Sequence, residues 1–155
     1  MNGRDDTESR IHGFIDRFTP EIATRAYACR AALRARLPSA FELVYDNYQA
    51  LAIGYGSSER QKDLILSLAL YPRVVRLFFY YGVTLPDPAG RLSGEGNQVR
   101  HVLLEGPETL AEPAVEALIA AALAQGELPM PDGVTGASII KSISTKQRPR
   151  RPGQA

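Results

Sequence analysis

The chain has 155 residues, of which 45% are hydrophobic and 23% charged, and this composition favours one globular domain with a core of ordinary size. The longest apolar stretch, residues 63–81, contains Pro72, Arg73 and Arg76 near its middle, where each cation would cost about 3 kcal/mol in a bilayer, so we predict no membrane span. The single cysteine excludes an intramolecular disulfide, and with no signal peptide recognisable we expect a cytoplasmic protein.

Two helices are predicted before residue 40. Apolar residues at helical spacing between positions 11 and 18 indicate the first, and residues 1–9 before it are predicted to be a flexible N-terminus. The second begins at Thr19 and Pro20, a typical N-cap pair, and ends before Pro38. Cys29 falls in its apolar row, so we expect a buried thiol.

From residue 40 the pattern changes to a period of two, which predicts five strands. The first two meet at a turn at residues 46–48, and the central pair folds back at residues 71–73. A stretch rich in proline and glycine follows Gly82 and precedes the fifth strand at residues 98–104.

A last helix has Pro113 in its first turn and ends at Gly126, and residues 138–143 form a short extended segment or a tucked tail. This order of elements predicts an α+β fold, with a five-stranded, largely antiparallel sheet and helices packed on one face. We place one domain at residues 10–145 and a basic tail rich in proline and arginine at residues 146–155.

Charge is distributed unevenly along the chain. The last fifteen residues contain five cations and no acid, whereas the remainder has 13 basic and 17 acidic residues. Such a tail either clamps onto the acidic body or recruits an external anion such as phosphate, a nucleotide or nucleic acid. The cations are Lys141, Lys146, Arg148, Arg150 and Arg151.

Strand alternation allows only one of Arg100 and His101 to face the helices. We expect His101 to be partly buried and Arg100 to be open to ligand, with the tail holding Lys141 and Lys146 near it. The residues predicted to bind an anion are Asn47, Tyr48, Arg60, Arg100, His101, Lys141 and Lys146.

The tyrosines leave two interpretations open. Aromatic residues are ordinary strand formers, or an open sheet face of tyrosines with Arg60, Arg76 and Arg100 stacks and neutralises a nucleotide or a single strand. Six tyrosines lie on or beside the predicted strands: Tyr45, Tyr48, Tyr55, Tyr71, Tyr80 and Tyr81.

No phosphate-binding loop, metal-ligand spacing or nucleophile motif is present, so we predict no cofactor, no metal site and no catalytic residue. Two alternatives remain open. One is an iron-binding chaperone that uses the acidic N-terminal residues Asp5, Asp6, Glu8 and Asp16. The other is an enzyme with His101 as acid or base.

Several segments together resemble the YdhG-like family of bacterial domains of unknown function: VYDNYQAL (44–51), LALYP (68–72), LFFYYG (77–82), LPDP (85–88), LSGEGNQVRH (92–101) and IIKSISTKQRPRRP (139–152). The resemblance spans residues 11–152. It implies an α/β sandwich and no established reaction. One branch of the wider family is described as a frataxin-like iron chaperone that uses acids on an N-terminal helix, but the first two predicted helices of this chain carry more arginine than acid.

Overall fold

The computed structural model describes residues 3–126 and 129–153, which form an α+β structure. Its helices are α1 (Gly3–Asp16), α2 (Pro20–Arg36), α3 (Pro107–Ala111) and α4 (Pro113–Gln125). Its strands are β1 (Phe41–Asp46), β2 (Leu51–Gly56), β3 (Leu64–Leu70), β4 (Val75–Phe79), β5 (Arg100–Leu104) and β6 (Ser138–Ile143). Among the described helices, none has the length and apolar character needed to cross a membrane.

The sheet differs from the prediction, because it has six strands and is mixed. The order is β5-β4-β3-β2-β1-β6, and only β6 pairs in parallel, with β1. The extended segment predicted at residues 138–143 is therefore an edge strand. A parallel partner needs a long crossover connection, which here includes α3 and α4, and the local pattern of β6 gives no sign of its distant partner.

The helices and one face of the sheet form the core. Val44, Ile53, Leu68 and Leu77 lie on this face and belong to the same buried cluster as Cys29, which is 0% exposed as predicted. The alternation predicted for the central pair holds for Leu66, Leu68 and Leu70 and for Val75, Leu77 and Phe79. Two predicted members depart from it: a register irregularity removes Leu64 from its row, and Tyr81 is 48% exposed.

The opposite side of the sheet carries no helix, and we call it the outer face. Strand register places there the residues that alternate with the core row. They are Phe41, Leu43, Tyr45, Ala52, Gly54, Gly56, Leu64, Ser67, Ala69, Arg76, Phe78, His101, Leu103, Ile139 and Ser142.

Helix α1 begins at Gly3, so residues 3–9, which were predicted to precede the first helix, belong to it. The reason is an interaction with α2: Glu8 accepts hydrogen bonds from Arg30 at 3.0 and 2.5 Å and from Arg34 at 3.1 Å. These ion pairs hold a polar turn that has no apolar stripe of its own.

Candidate anion-binding site

Two hairpin turns lie at the same end of the sheet because β1 to β4 form an antiparallel meander. One turn joins β1 to β2 and the other joins β3 to β4, where the Tyr71 amide donates to the Val74 carbonyl at 2.9 Å. The basic tail crosses this end, and the Arg148 amide donates to the Tyr48 carbonyl at 2.8 Å. Three separate parts of the chain therefore meet here.

A buried ion pair anchors the tail. Nη2 of Arg150 donates to Oδ1 of Asp46 at 2.9 Å, and both side chains are 2% exposed. The same Nη2 donates to the Asn47 carbonyl at 2.6 Å, and Nε2 of Gln147 donates to Oδ2 of Asp46 at 2.9 Å. The guanidinium also lies over the ring of Phe18, 5.6 Å from its centroid. The tail is thus fixed to β1 and to the turn between α1 and α2.

Beside this anchor the turns and the tail enclose a pocket of about 320 Å³, which we call the arginine pocket. Its charged lining consists of three arginines and no carboxylate. Its residues are Gln49, Tyr71, Pro72, Arg73, Arg148, Pro149, Arg151 and Pro152.

The arginines of this pocket differ in how much they are already bound. Arg151 donates through Nε to the Arg17 carbonyl at 3.0 Å, so one edge of its guanidinium is occupied. Arg73 and Arg148 are exposed, and within residues 3–126 and 129–153 neither guanidinium takes part in a hydrogen bond or an ion pair. Two guanidinium groups that no carboxylate neutralises therefore line the same pocket.

The structure separates the seven predicted binding residues into three groups. Asn47 and Tyr48 lie in the β1–β2 turn beside the arginine pocket, and Lys146 is exposed on the tail nearby. Lys141 donates from Nζ to the carbonyl of Glu59, next to Arg60, on the loop between β2 and β3 at the other end of the sheet.

Arg100 and His101 form the third group, on β5. Because β5 and β6 are the two opposite edges of the sheet, the prediction that the tail holds Lys141 and Lys146 near Arg100 is wrong. The faces are also reversed. His101 lies on the outer face, 5.2 Å from the ring of Phe78, whereas Arg100 shares the core row with Val102. The Arg100 guanidinium donates to the carbonyls of Gly96 and Val99.

The reversal of Arg100 and His101 has a simple cause. Val102 and Leu104 are buried at 2% and 0% exposure, and they share the face of Arg100, whereas Leu103 is 45% exposed. The sequence shows apolar residues in both rows of this strand, so the pattern did not distinguish them. Burial and the nearby Arg76 lower the pKa of His101.

A second polar cluster lies between the helices and β1. Arg30 donates to Glu42 at 2.9 and 2.8 Å, the Tyr55 hydroxyl donates to Glu42 at 2.7 Å, and Ser138 donates to the same carboxylate at 2.7 Å. Burial is the largest single influence and raises the pKa of Glu42, but the hydrogen bonds and charge of Arg30 together with the hydrogen bonds from Ser138 and Tyr55 outweigh it, so the net pKa is lowered. The polar side chains of this cluster are hydrogen-bonded to one another, and the cluster joins α1, α2, β1, β2 and β6.

The acids predicted for an iron site are distributed differently. Glu8 belongs to this cluster, and Asp16 accepts a hydrogen bond from the Tyr27 hydroxyl at 2.7 Å. In the described part of the chain, no group of three or more histidine, cysteine or acidic side chains is placed to hold a metal ion. The arginine pocket, by contrast, brings three arginines together without a carboxylate.

Sequence reasoning missed Gln49, Tyr71 and Arg73 as pocket residues. Strand topology could have predicted them, since alternate turns of an antiparallel meander lie at the same end of a sheet. No family model, no curated protein and no solved structure matches this chain, so the resemblance to the YdhG-like family stays a prediction.

Proposed function

We propose that this chain is a small binding module for an anionic ligand that carries phosphate groups. The observation that supports it is the arginine pocket, in which Arg73 and Arg148 have no partner among the described residues and Arg151 lies beside them. Guanidinium groups bind phosphate oxygens through two parallel hydrogen bonds, so two unpaired guanidinium groups suit a phosphate ligand. A metal ion would need carboxylates in their place.

The size and lining of the pocket set limits on the ligand. A volume of about 320 Å³ is at the small end of ligand pockets and fits an inorganic phosphate, a diphosphate or part of a nucleotide. Tyr71 and three prolines supply the apolar part of the lining. An aromatic ring next to cations suits a ligand that combines phosphate with a flat group.

The position of the tail also supports this proposal. Asp46 neutralises Arg150, and Arg17 lies 3.4 Å from the same carboxylate, so the one acid in this anchor is already shared between two cations. Asp46 therefore supplies no countercharge to Arg148 and Arg151, the other arginines of the tail. Both outcomes foreseen for the basic tail, an internal clamp and an anion site, are therefore compatible in one structure.

The proposal is tested by isothermal titration of pyrophosphate into the protein at low ionic strength. Arg73→Ala and Arg148→Ala should each weaken binding about tenfold, the effect of losing one charged hydrogen bond. Arg60→Ala is the matched control, because it removes the same charge from an exposed loop at the other end of the sheet. It should change the affinity less than twofold.

Equal losses in all three variants would show that binding follows net charge rather than the pocket. No binding to the wild-type protein at low ionic strength would overturn the proposal. Circular dichroism on each variant checks that the fold is retained.

A further inference from the structure

The outer face of the sheet has an unusual composition for a surface that no helix covers. Antiparallel sheets with one face towards water normally place polar residues there. Here the fifteen outer-face strand positions include three aromatic residues and His101 but no carboxylate, and Arg76 is their one permanent charge.

The middle of this face is closely packed and its sides are aromatic. The Leu64 side chain lies against Gly54, and Ser67 and Ala69 are each 4% exposed, while Tyr45 lies on β1 and Phe78 on β4. The Tyr45 hydroxyl is buried and has no hydrogen-bond partner in the part of the chain that the structure describes. Tyr80 continues the alternation of β4 after Phe78. Aromatic groups thus flank a filled centre.

The outer face is continuous with the arginine pocket. Arg76, two residues before Phe78 on β4, places its guanidinium 4.9 Å from the centroid of the Tyr71 ring, and Tyr71 lines that pocket. On the other side of β4, Phe78 lies 5.2 Å from the His101 ring. Aromatic rings and one cation, Arg76, therefore lead from β5 to the pocket, with Phe78 and Arg76 about 7 Å apart along the strand.

We infer that the ligand is a single-stranded nucleic acid, with its backbone at the arginine pocket and Arg76 and its bases on the aromatic outer face; this inference rests on the proposed function. Unpaired bases stack on aromatic side chains while cations track the phosphates. In a duplex the base faces are already stacked on each other and unavailable, so the surface favours single strands.

A second copy of the chain fits the outer face less well. Two identical faces would bring Arg76 and the neighbouring Arg73 against surfaces that also lack carboxylates, and like charges across an interface are unfavourable. A polyanion supplies the missing countercharge. The absence of acids on this face is therefore the observation that selects the occupant.

The test is fluorescence anisotropy with a labelled twelve-nucleotide oligothymidylate at low ionic strength, compared with a duplex of the same length. We expect the single strand to bind at least about tenfold more tightly than the duplex. Phe78→Ala should weaken oligonucleotide binding about tenfold through lost stacking and leave pyrophosphate binding unchanged. Phe78→Leu keeps apolar volume but removes the ring, so it gives the same readout if the alanine variant does not fold.

Tyr81→Leu is the matched control, since Tyr81 is 48% exposed outside the outer-face strands, and it should have no effect. Equal binding of single strand and duplex, or unchanged oligonucleotide affinity in both Phe78 variants, overturns the inference. So does a dimer in sedimentation that Phe78→Leu dissociates. If pyrophosphate binding still depends on Arg73 and Arg148, the proposed function stands; if neither pyrophosphate nor oligonucleotide binds, both fail.

Discussion

Asp46 and Arg150 lie 104 positions apart in the chain and form an ion pair of 2.9 Å in which both side chains are 2% exposed. This pair connects the end of β1 to the tail, so the residues around Arg150 are positioned by the sheet. Two donors of Arg150, Nε and Nη1, have no partner in the described residues. The pair therefore matters more for where the tail lies than as a source of net stability.

Replacing Arg150 with alanine should lower the free energy of unfolding by about 3 kcal/mol, because it leaves a buried carboxylate with a weaker partner. Urea denaturation followed by circular dichroism measures this. Arg148→Ala is the control, since Arg148 is exposed on the same tail, and its effect should stay within about 0.5 kcal/mol. Similar small effects for both variants would contradict the docking of the tail.

Stability should fall as the solution becomes acidic. Hydrogen bonds from Arg30 lower the pKa of Glu8 despite partial burial. At Glu42 burial raises the pKa, but Arg30, Ser138 and Tyr55 together outweigh it and the pKa is lowered. Groups with a lowered pKa stabilise the fold above the unfolded value of 4.5, and this contribution is lost as the pH falls below it. Unfolding free energies measured by urea denaturation should therefore decrease between about pH 5 and pH 3.

Glu42→Gln should reduce this pH dependence and destabilise the protein at neutral pH by about 3 kcal/mol. Glu21→Gln is the control, because the Glu21 side chain is 80% exposed and its removal should change neither quantity appreciably. An unchanged pH profile in Glu42→Gln would show that the cluster around Arg30 does not control acid stability.

Cys29 should react slowly with thiol reagents in the folded protein. The residue is 0% exposed, and burial raises the pKa of its thiol to about 11, so little reactive thiolate forms at neutral pH. Labelling with an aromatic disulfide reagent should be slow in buffer and fast in urea. Rapid labelling of the native protein would place Cys29 outside the core.

The sequence predicted those elements whose residues repeat with a clear local period. Helices α2 and α4 were expected from proline at their starts and apolar rows, and the hairpin at residues 71–73 came from alternation on either side of a turn. These signals are local, because each depends on neighbours within a few positions. The first turns of α1 lacked such a period, since Glu8 acts through distant arginines.

The arginine pocket depended on distances that no local pattern reports. Arg73 and Arg148 are 75 positions apart, and each looks like an ordinary exposed cation in the sequence. Asp46 gave no sign of pairing with Arg150, although the tail itself was recognised as basic. The parallel placement of β6 beside β1 carries the tail to this end of the sheet, and the predicted antiparallel sheet did not include it.

The most direct measurement is a titration of pyrophosphate into labelled protein, followed through the side-chain Nε–Hε signals of arginine in NMR spectra. We expect saturable shifts for Arg73 and Arg148, while Arg36, paired with Glu116 at 2.9 Å, and Arg100 stay unchanged. Shifts spread evenly over all exposed arginines, or shifts confined to residues outside the arginine pocket, would contradict an anion site at this end of the sheet.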